Sequence, residues 1–245
     1  MNYDKYKFSA KEWILYGLEY LVISAVVAYL FYDSLLVFVI LIFFSFIYFR
    51  IRKQKNKEKR IIELKNQFIQ MISCMATSLR AGFSVENSLI EATKDIEKMF
   101  GENSVMAKEL QNMIIQINLG MRIEELMSDF SDRTGVEEIK DFATVFSIAK
   151  KSGGKFSEII ERCSLMMVAN RDTENQIEIL ISGKKYEQRI LSIIPFVLIA
   201  ALRYTSSDFI EVLYHNLFGE VLMSVCLLIY LLSLYLSEKI SNIKC

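Results

Sequence analysis

Residues 35–72 read LLVFVILIFFSFIYFRIRKQKNKEKRIIELKNQFIQMI, and this stretch changes character twice. Residues 35–49 are almost wholly apolar, residues 50–60 carry seven basic side chains and one acid, and from residue 61 apolar residues recur at steps of three and four. A continuous apolar run belongs in a bilayer core of about 30 Å, whereas the stepped pattern is that of a helix with one face in a water-soluble core. The stretch therefore predicts a membrane span that leads through a basic belt into a soluble helical domain.

Three further apolar runs lie at 13–32, 189–204 and 217–236, so the runs form one pair at each end of the chain. The chain contains one proline, Pro195, whereas average usage near 5% would give roughly twelve. This scarcity of proline favours long uninterrupted helices. We find no sustained alternation typical of strands. We predict an all-α membrane protein in which four transmembrane helices, two N-terminal and two C-terminal, flank a cytoplasmic bundle of about six helices.

Charge fixes the expected topology, because basic residues beside a span are retained on the cytoplasmic side. The loop 205–216 contains Asp208 and Glu211 but no lysine or arginine, as expected outside the membrane. The run 13–32 lacks a small-residue cleavage site and is followed at once by another apolar run, so we interpret it as a span and not as a signal peptide. The expected segments are a cytoplasmic N-terminus 1–12, a transmembrane hairpin 13–49 (spans 13–32 and 35–49), a basic belt 50–60, a cytoplasmic domain 61–188, a second hairpin 189–236 (spans 189–204 and 217–236, external loop 205–216) and a cytoplasmic tail 237–245.

Glycines mark the expected ends of the cytoplasmic helices at Gly82, Gly120, Gly135 and the pair Gly153-Gly154, since glycine readily adopts the left-handed cap conformation. Ser84 is an expected N-cap. The sixth helix begins near Phe156 and is expected to run on toward the third span. The apolar stripes of the six helices are Ile61, Leu64, Phe68, Met71, Ile72, Met75 and Leu79; Leu89, Ala92, Ile96 and Met99; Met106, Leu110, Met113, Ile114 and Ile117; Ile123, Leu126 and Phe130; Ile139, Phe142, Phe146 and Ala149; and Phe156, Ile160, Cys163 and Met167.

A weak repeat accompanies these glycines. Gly82-Phe-Ser-Val85-Glu86 and Gly120-Met-Arg-Ile123-Glu124 share the pattern Gly-x-x-apolar-Glu, and Gly153-Gly-Lys-Phe156 keeps its first part. The apolar residue re-enters the core, and the acid lies where the N-terminal dipole of the next helix is positive. On physical grounds alone, ordinary turns of helical hairpins explain the pattern.

The same signatures resemble a known family. Leu79-Arg80-Ala81-Gly82 with Ser84 and Leu89 is similar to a stretch of the type II secretion F domain. The segments Leu119-Gly120…Glu125-Leu126 and Ser152-Gly153-Gly154-x-Phe156, and then Pro195, follow in the family order. The resemblance covers residues 64–236, departs at the bulkier Phe83, and is strongest to the TadB/TadC branch, because one domain copy follows an N-terminal hairpin.

That resemblance implies a non-enzymatic inner-membrane platform protein of a Tad pilus, type IV pilus or type II secretion machine. It implies as partners a hexameric secretion ATPase, a pilin or pseudopilin, and further copies or a paralogous platform protein. The turns that would carry partner contacts hold six candidates: Arg80, Gly82, Ser84, Lys150, Lys151 and Lys155. Gly120, Gly153, Gly154 and Pro195 are expected to be structural turn or helix-break residues.

Catalytic motifs are missing from the sequence. Gly154-Lys155 is followed by Phe156 and lacks the upstream glycine of a phosphate-binding loop, and His215 is the only histidine. Cys74, Cys163, Cys226 and Cys245 lack metal-ligand spacing, so we interpret them as small buried hydrophobes. We therefore expect no enzyme activity, no cofactor and no metal. The basic belt follows a span directly, which favours a lipid surface over nucleic acid.

Three charged residues lie in or beside the spans, where ionisable groups are often functional. Glu19 is expected either at the inner interface or against a partner subunit or pilin. Arg203 and Glu220 are expected near the outer interface, where they could pair. The alternative function is a transporter or a signalling protein with a helical sensor domain. A transporter should show several polar or broken spans, whereas only Pro195 interrupts one here.

Overall fold

The computed structural model describes Phe8 and Tyr214 together with residues 10–152, 155–205 and 216–241. Within these residues all regular secondary structure is α-helical, which confirms the predicted class. The helices are α1 Ala10–Phe31, α2 Leu35–Phe43, α3 Ser45–Arg80, α4 Val85–Phe100, α5 Val105–Asn118, α6 Ile123–Thr134, α7 Glu137–Ser152, α8 Phe156–Thr205 and α9 Leu217–Ser241.

The chain divides into two compact units, which are described separately. The bundle unit comprises Lys53–Thr173. The membrane unit comprises Phe8–Arg52 and the described residues of Glu174–Cys245. Both boundaries fall inside helices, because α3 and α8 each contribute residues to both units.

The bundle unit is built around a continuous apolar core. Phe68 of α3 contacts Phe130 of α6 and Phe142 of α7, with ring centroids 6.0 and 5.5 Å apart. Most residues of the predicted stripes are in this core, and Ile61, Ile117, Phe156, Cys163 and Met167 pack partly buried against it. Two stripe residues differ from the prediction. Ile114 is half-buried outside this core. Met99 is 56% exposed, because it lies in the last turn of α4 where the helix leaves the core.

Glycine closes the helices of the bundle where the sequence predicts it. Gly82 has φ 94° and Gly120 has φ 91°, in the region that side chains with a Cβ rarely adopt. The N–H of Phe83 donates to the Ser78 carbonyl at 3.2 Å and that of Met121 to the Gln116 carbonyl at 3.0 Å. These six-to-one bonds are the Schellman pattern and satisfy carbonyls that the helix end leaves open.

Serine begins the next helix after two of the bundle's turns. The Ser84 hydroxyl accepts a bond from the Asn87 N–H at 3.3 Å, which confirms the predicted N-cap of α4. Ser104 does the same for α5 by accepting from the Ala107 N–H at 3.3 Å. Val85 and Ile123 then re-enter the core, as the repeat predicts.

The membrane unit exposes its apolar side chains. Among the residues that the structure describes, three helices are long and apolar enough to cross a membrane: Ala10–Phe31, Phe156–Thr205 and, within α9, Phe218–Ser237. The expected span 35–49 is not one helix, because it is interrupted at Phe44 between the nine-residue α2 and the start of α3. Tighter i to i+3 bonds cross this point, from Phe44 N–H to Leu41 and from Ile47 N–H to Phe44, at 3.0 and 3.1 Å.

Two segments continue further than predicted. The belt 50–60 is part of helix α3, so the first helix of the bundle begins well before residue 61. The predicted continuation of the sixth helix is confirmed, because α8 runs without a break from Phe156 to Thr205 with Pro195 inside it. The proline does not end the helix.

The cysteines only partly follow their interpretation as buried hydrophobes. Cys74 and Cys163 are half-buried in the bundle, and burial raises the pKa of both thiols. Cys226 is exposed on α9, so for this residue the interpretation was wrong. An apolar surrounding of lipid tolerates a small hydrophobe on an exposed face of a span. Cys245 lies outside the described residues.

Candidate docking site and the membrane charge sites

The two glutamates of the sequence repeat meet at one lysine. Glu86 lies in the first turn of α4, Glu124 in the first turn of α6 and Lys150 in the last turn of α7. The Lys150 ammonium lies 3.3 Å from a Glu86 carboxylate oxygen and 3.5 Å from one of Glu124. The turns at Gly82 and Gly120 and the end of α7 therefore lie at the same end of the bundle unit.

The electrostatics of this cluster favour the charged form of its least exposed member. Burial acts to raise the pKa of the Glu124 carboxyl. A backbone hydrogen bond and the charges of Lys150 and Arg122 outweigh burial, so the pKa lies below its ordinary value. Lys150, a candidate partner contact, is thus already engaged within its own chain, and its first role is to hold three helices together.

Arg80 is also paired within the chain. Its guanidinium donates to Glu161 of α8 at 2.7 Å, while most of the arginine side chain stays exposed. Further along the same two helices, the hydroxyls of Ser73 and Ser164 share a hydrogen bond at 3.1 Å. A cleft of about 200 Å³ lies along these residues between α3 and α8. The pair links the end of α3 to the beginning of α8.

The remaining candidates are placed in different ways. Gly82 is an exposed turn glycine and Ser84 a helix cap, so both shape the turn. Lys151 and Lys155 are exposed and have no ion pair among the residues that the structure describes. Gly153 and Gly154 lie outside the described residues.

The sequence reasoning did not identify the exposed side chains around the second glycine turn. It treated residues 119–122 as a structural turn at Gly120, yet Leu119 is 79% exposed, and Met121 and Arg122 are exposed as well. The repeat was the signal that could have found them. Because Gly82 and Gly120 are equivalent positions in it, Phe83 and Met121 are equivalent too.

Glu19 has a partner within the membrane unit. Arg52 of α3 forms an ion pair with the Glu19 carboxylate and donates from Nε to the Tyr48 hydroxyl at 2.9 Å. The same guanidinium lies 5.2 Å from the Tyr16 ring centroid and 5.3 Å from that of Tyr48. Arg52 belongs to the basic belt and neutralises the Glu19 carboxylate. A second protein is therefore not needed to explain an acid at this position.

Arg203 pairs with Asp33 and not with Glu220. Its guanidinium donates to the Asp33 carboxylate at 2.8 Å and to the Tyr29 carbonyl at 2.5 Å, and lies 3.9 Å from the Tyr29 ring centroid. Asp33 is close because α1 ends just before it, in a tight turn where Asp33 itself has φ 45°. Glu220 lies exposed in the first turn of α9, where an acid suits the helix dipole.

Pro195 lies beside a bond between two membrane helices. Proline has no N–H, so the helix cannot satisfy the Leu191 carbonyl at this turn. The Tyr230 hydroxyl of α9 donates to the next carbonyl, that of Ser192, at 2.7 Å. Pro195, Tyr230 and Ser192 also line a groove of about 420 Å³ between α8 and α9. The proline-containing turn of α8 is therefore bonded to the neighbouring helix α9.

The described residues contain no group of three or more histidine, cysteine or acidic side chains that could hold a metal ion. What the bundle end offers chemically is a surface of exposed apolar and basic side chains on a paired, rigid base. Such an arrangement is suited to protein recognition.

Comparison with known proteins gives one result. A family model described as type II secretion system (T2SS), protein F, matches residues 71–202, which is more than half of the chain. No curated protein and no solved structure matches the chain. The matched region includes both glycine turns, Lys150 and Pro195.

Proposed function

Because this chain belongs to the type II secretion system protein F family, we propose that it is a non-enzymatic platform protein of the cytoplasmic membrane. In this role it couples a cytoplasmic hexameric secretion ATPase to the extraction of pilin from the bilayer, for pilus assembly or protein secretion. The family match over residues 71–202 is the observation that carries the proposal.

The connectivity of the two units supports a coupling role. Helix α8 is 50 residues long and begins in the bundle unit, and its C-terminal part is apolar enough to cross a membrane. At 1.5 Å per residue such a helix is about 75 Å long, more than twice the thickness of a bilayer core. A force applied to the bundle therefore has a continuous covalent and hydrogen-bonded path to a membrane segment.

We propose a Tad pilus machine as the setting, with a pilin as substrate and a paralogous platform protein or further copies of this chain as membrane partners. The support is the order of the segments, in which the family domain follows an N-terminal pair of apolar runs. Arg80, Lys151 and Lys155 remain the candidate contacts to the ATPase.

The proposed topology has four membrane crossings with both termini in the cytoplasm. The basic belt 50–60 and the acidic loop 205–216 support it. Thiol-specific labelling of intact cells should fail at Cys74 and Cys245 and succeed at a cysteine introduced by Ser206→Cys. Labelling of Cys245 without permeabilisation would show that the tail is external.

Co-purification tests the function. The full chain is purified from its own cells in mild detergent, and proteins bound to it are identified. We expect a hexameric secretion ATPase among them, and we expect no nucleotide hydrolysis by the chain alone. Hydrolysis by the purified chain would overturn the proposal, and so would normal pilus assembly and secretion in cells that lack the chain.

A further inference from the structure

We propose that one end of the bundle unit is a docking face for a protein surface with an apolar socket bordered by carboxylates. The turn face consists of Phe83, Leu119, Met121 and Arg122 on the two glycine turns, with Lys151 and Lys155 beside the end of α7. This inference rests on the proposed function, since the partner is the secretion ATPase, and it identifies where that partner binds.

Convergence at Lys150 is the first support. Glu86 and Glu124 both reach this one ammonium, within 3.5 Å. Phe83 precedes Glu86 by three residues and Met121 precedes Glu124 by three. The two turns are therefore held side by side, and the apolar residues on them form parts of one surface.

Exposure is the second support. Phe83 is 49% and Leu119 79% exposed, although residues immediately following in the same segments, such as Leu89 and Ile123, are buried in the core. A backbone closed by Schellman bonds fixes these side chains outward at little cost in entropy. Large apolar side chains displayed on a rigid base are typical anchors of a protein interface.

Charge determines the chemistry of the partner. The acids Glu86 and Glu124 are paired with Lys150, and Arg122 lies 3.5 Å from Glu124 with most of its side chain exposed. Lys151 and Lys155 have no ion pair in the described part of the chain. The exposed acids in the first turns of α6 and α8 are Glu125 and Glu158, and Glu158 is paired with Arg162. The net charge of the turn face is therefore positive. A complementary partner surface carries carboxylates around its apolar socket.

The opposite end of the bundle provides matched controls. Met99 and Phe100, at the far end of α4, are exposed apolar residues like Leu119 and Phe83. They lie about 22 Å along the helix axis from its first turn. Lys108 and Lys140, in the first turns of α5 and α7, are exposed lysines like Lys151 and Lys155. Each test variant thus has a control of the same residue types.

The experiment titrates full-length chain in mild detergent with the secretion ATPase that co-purifies with the wild-type protein. Phe83→Ser with Leu119→Ser should weaken binding about tenfold or more, whereas Met99→Ser with Phe100→Ser should change it less than about twofold. Lys151→Glu with Lys155→Glu should slow association and remove most of its salt dependence, unlike Lys108→Glu with Lys140→Glu. Lys150 is left unchanged, because its loss would remove the ion-pair partner that Glu86 and Glu124 share.

The outcomes separate the two proposals. If no ATPase is retained by the wild-type chain, the proposed function is wrong. If the wild-type chain binds the ATPase and the Phe83/Leu119 variant binds equally well, the turn face is overturned while the function stands. Equal losses in the Phe83/Leu119 and Met99/Phe100 variants would also overturn it. Circular dichroism of each variant checks that the bundle remains folded.

Discussion

Phe68 in the bundle unit and Trp13 in the membrane unit are both aromatic residues of long helices, yet Phe68 is fully buried and Trp13 is 61% exposed. Phe68 packs against two other phenylalanines, whereas Trp13 stacks on Phe49, with ring centroids 5.4 Å apart, and still leaves most of its surface exposed. The difference follows from the solvent. Water drives apolar side chains of the bundle together, while lipid tails accept those of the membrane unit where they are.

Polar groups show the reverse contrast. The bundle leaves many of its ion pairs at the surface, such as Arg80 with Glu161, where water would solvate the partners if they separated. In the membrane unit, Arg52 of α3 pairs with Glu19 of α1, Arg203 of α8 pairs with Asp33 in the turn after α1, and tyrosine hydroxyls bind backbone carbonyls. We infer that burial stabilises the bundle, whereas packing and polar pairing stabilise the membrane unit.

Removing core volume from the bundle should have the largest effect. Phe68→Ala should lower the free energy of unfolding by about 3–5 kcal/mol, since the phenyl group is fully enclosed. Denaturant unfolding of a soluble fragment Lys53–Thr173, which we expect to be strongly helical and cooperative, measures this. Phe83→Ala is the control and should cost less than about 1 kcal/mol. A small loss for Phe68→Ala would mean that the bundle does not depend on this core.

The same substitution at two exposed leucines sharpens the comparison. Leu228 is 60% exposed near the centre of the candidate span in α9, and Leu119 is exposed on a bundle turn. Leu228→Asp should cost about 3 kcal/mol of membrane insertion, while Leu119→Asp should change bundle stability by about 0.5 kcal/mol or less. A glycosylation-based insertion assay measures the first and denaturant unfolding the second. If α9 inserts equally well with and without the aspartate, its assignment as a membrane span is wrong.

Glycine turns should show an intermediate effect that belongs to the bundle alone. Gly82→Val and Gly120→Val should each cost about 1–3 kcal/mol, because a β-branched residue resists the left-handed region even where space is open. Gly82→Asn is the matched control and should cost less, since asparagine tolerates that region. Thermal unfolding of the fragment Lys53–Thr173 compares them. If valine and asparagine at Gly82 give the same thermal stability, the left-handed conformation of this turn does not determine the cost of substitution.

Lowering the pH should produce the smallest change in the stability of the bundle. The pKa of Glu138 is also lowered, since the Lys65 hydrogen bond and a backbone bond outweigh burial. A carboxyl with a lowered folded-state pKa stabilises the bundle above its unfolded pKa of about 4.3, and this contribution is lost as pH falls through the folded value. Unfolding of the fragment between pH 7 and 3 should therefore show declining stability. Glu124→Gln with Glu138→Gln should flatten that decline, and an unchanged slope would contradict the assignment.

Local features of the fold could be predicted from the sequence because local physics determines them. Helix ends at Gly82 and Gly120 and the cap at Ser84 depend on backbone preferences of a few residues. The stripe residues from Leu64 to Phe146 follow from a periodicity of three and four. Met99 was assigned incorrectly because periodicity does not reveal where a helix outlasts its core.

The pairings could not be predicted in the same way. Arg203 and Asp33 are 170 residues apart, and Glu19 and Arg52 are 33 apart, so their contacts depend on helix packing. The interruption at Phe44 was missed because nothing in an unbroken apolar run marks it. The cluster of Lys150 with Glu86 and Glu124 could be predicted in part. The repeat showed that Glu86 and Glu124 were equivalent, but not that α7 would supply their common cation.

The belt 50–60 lies in an unbroken helix, and this has a geometric consequence. Successive helical residues are about 100° apart around the axis. The basic residues of the belt are therefore distributed over several sides of α3 and do not mark one face of it. Phosphate headgroups would meet positive charge whichever way the helix turned. Basic residues distributed in this way resist movement of the helix into or out of the bilayer but oppose its rotation about its own axis only weakly.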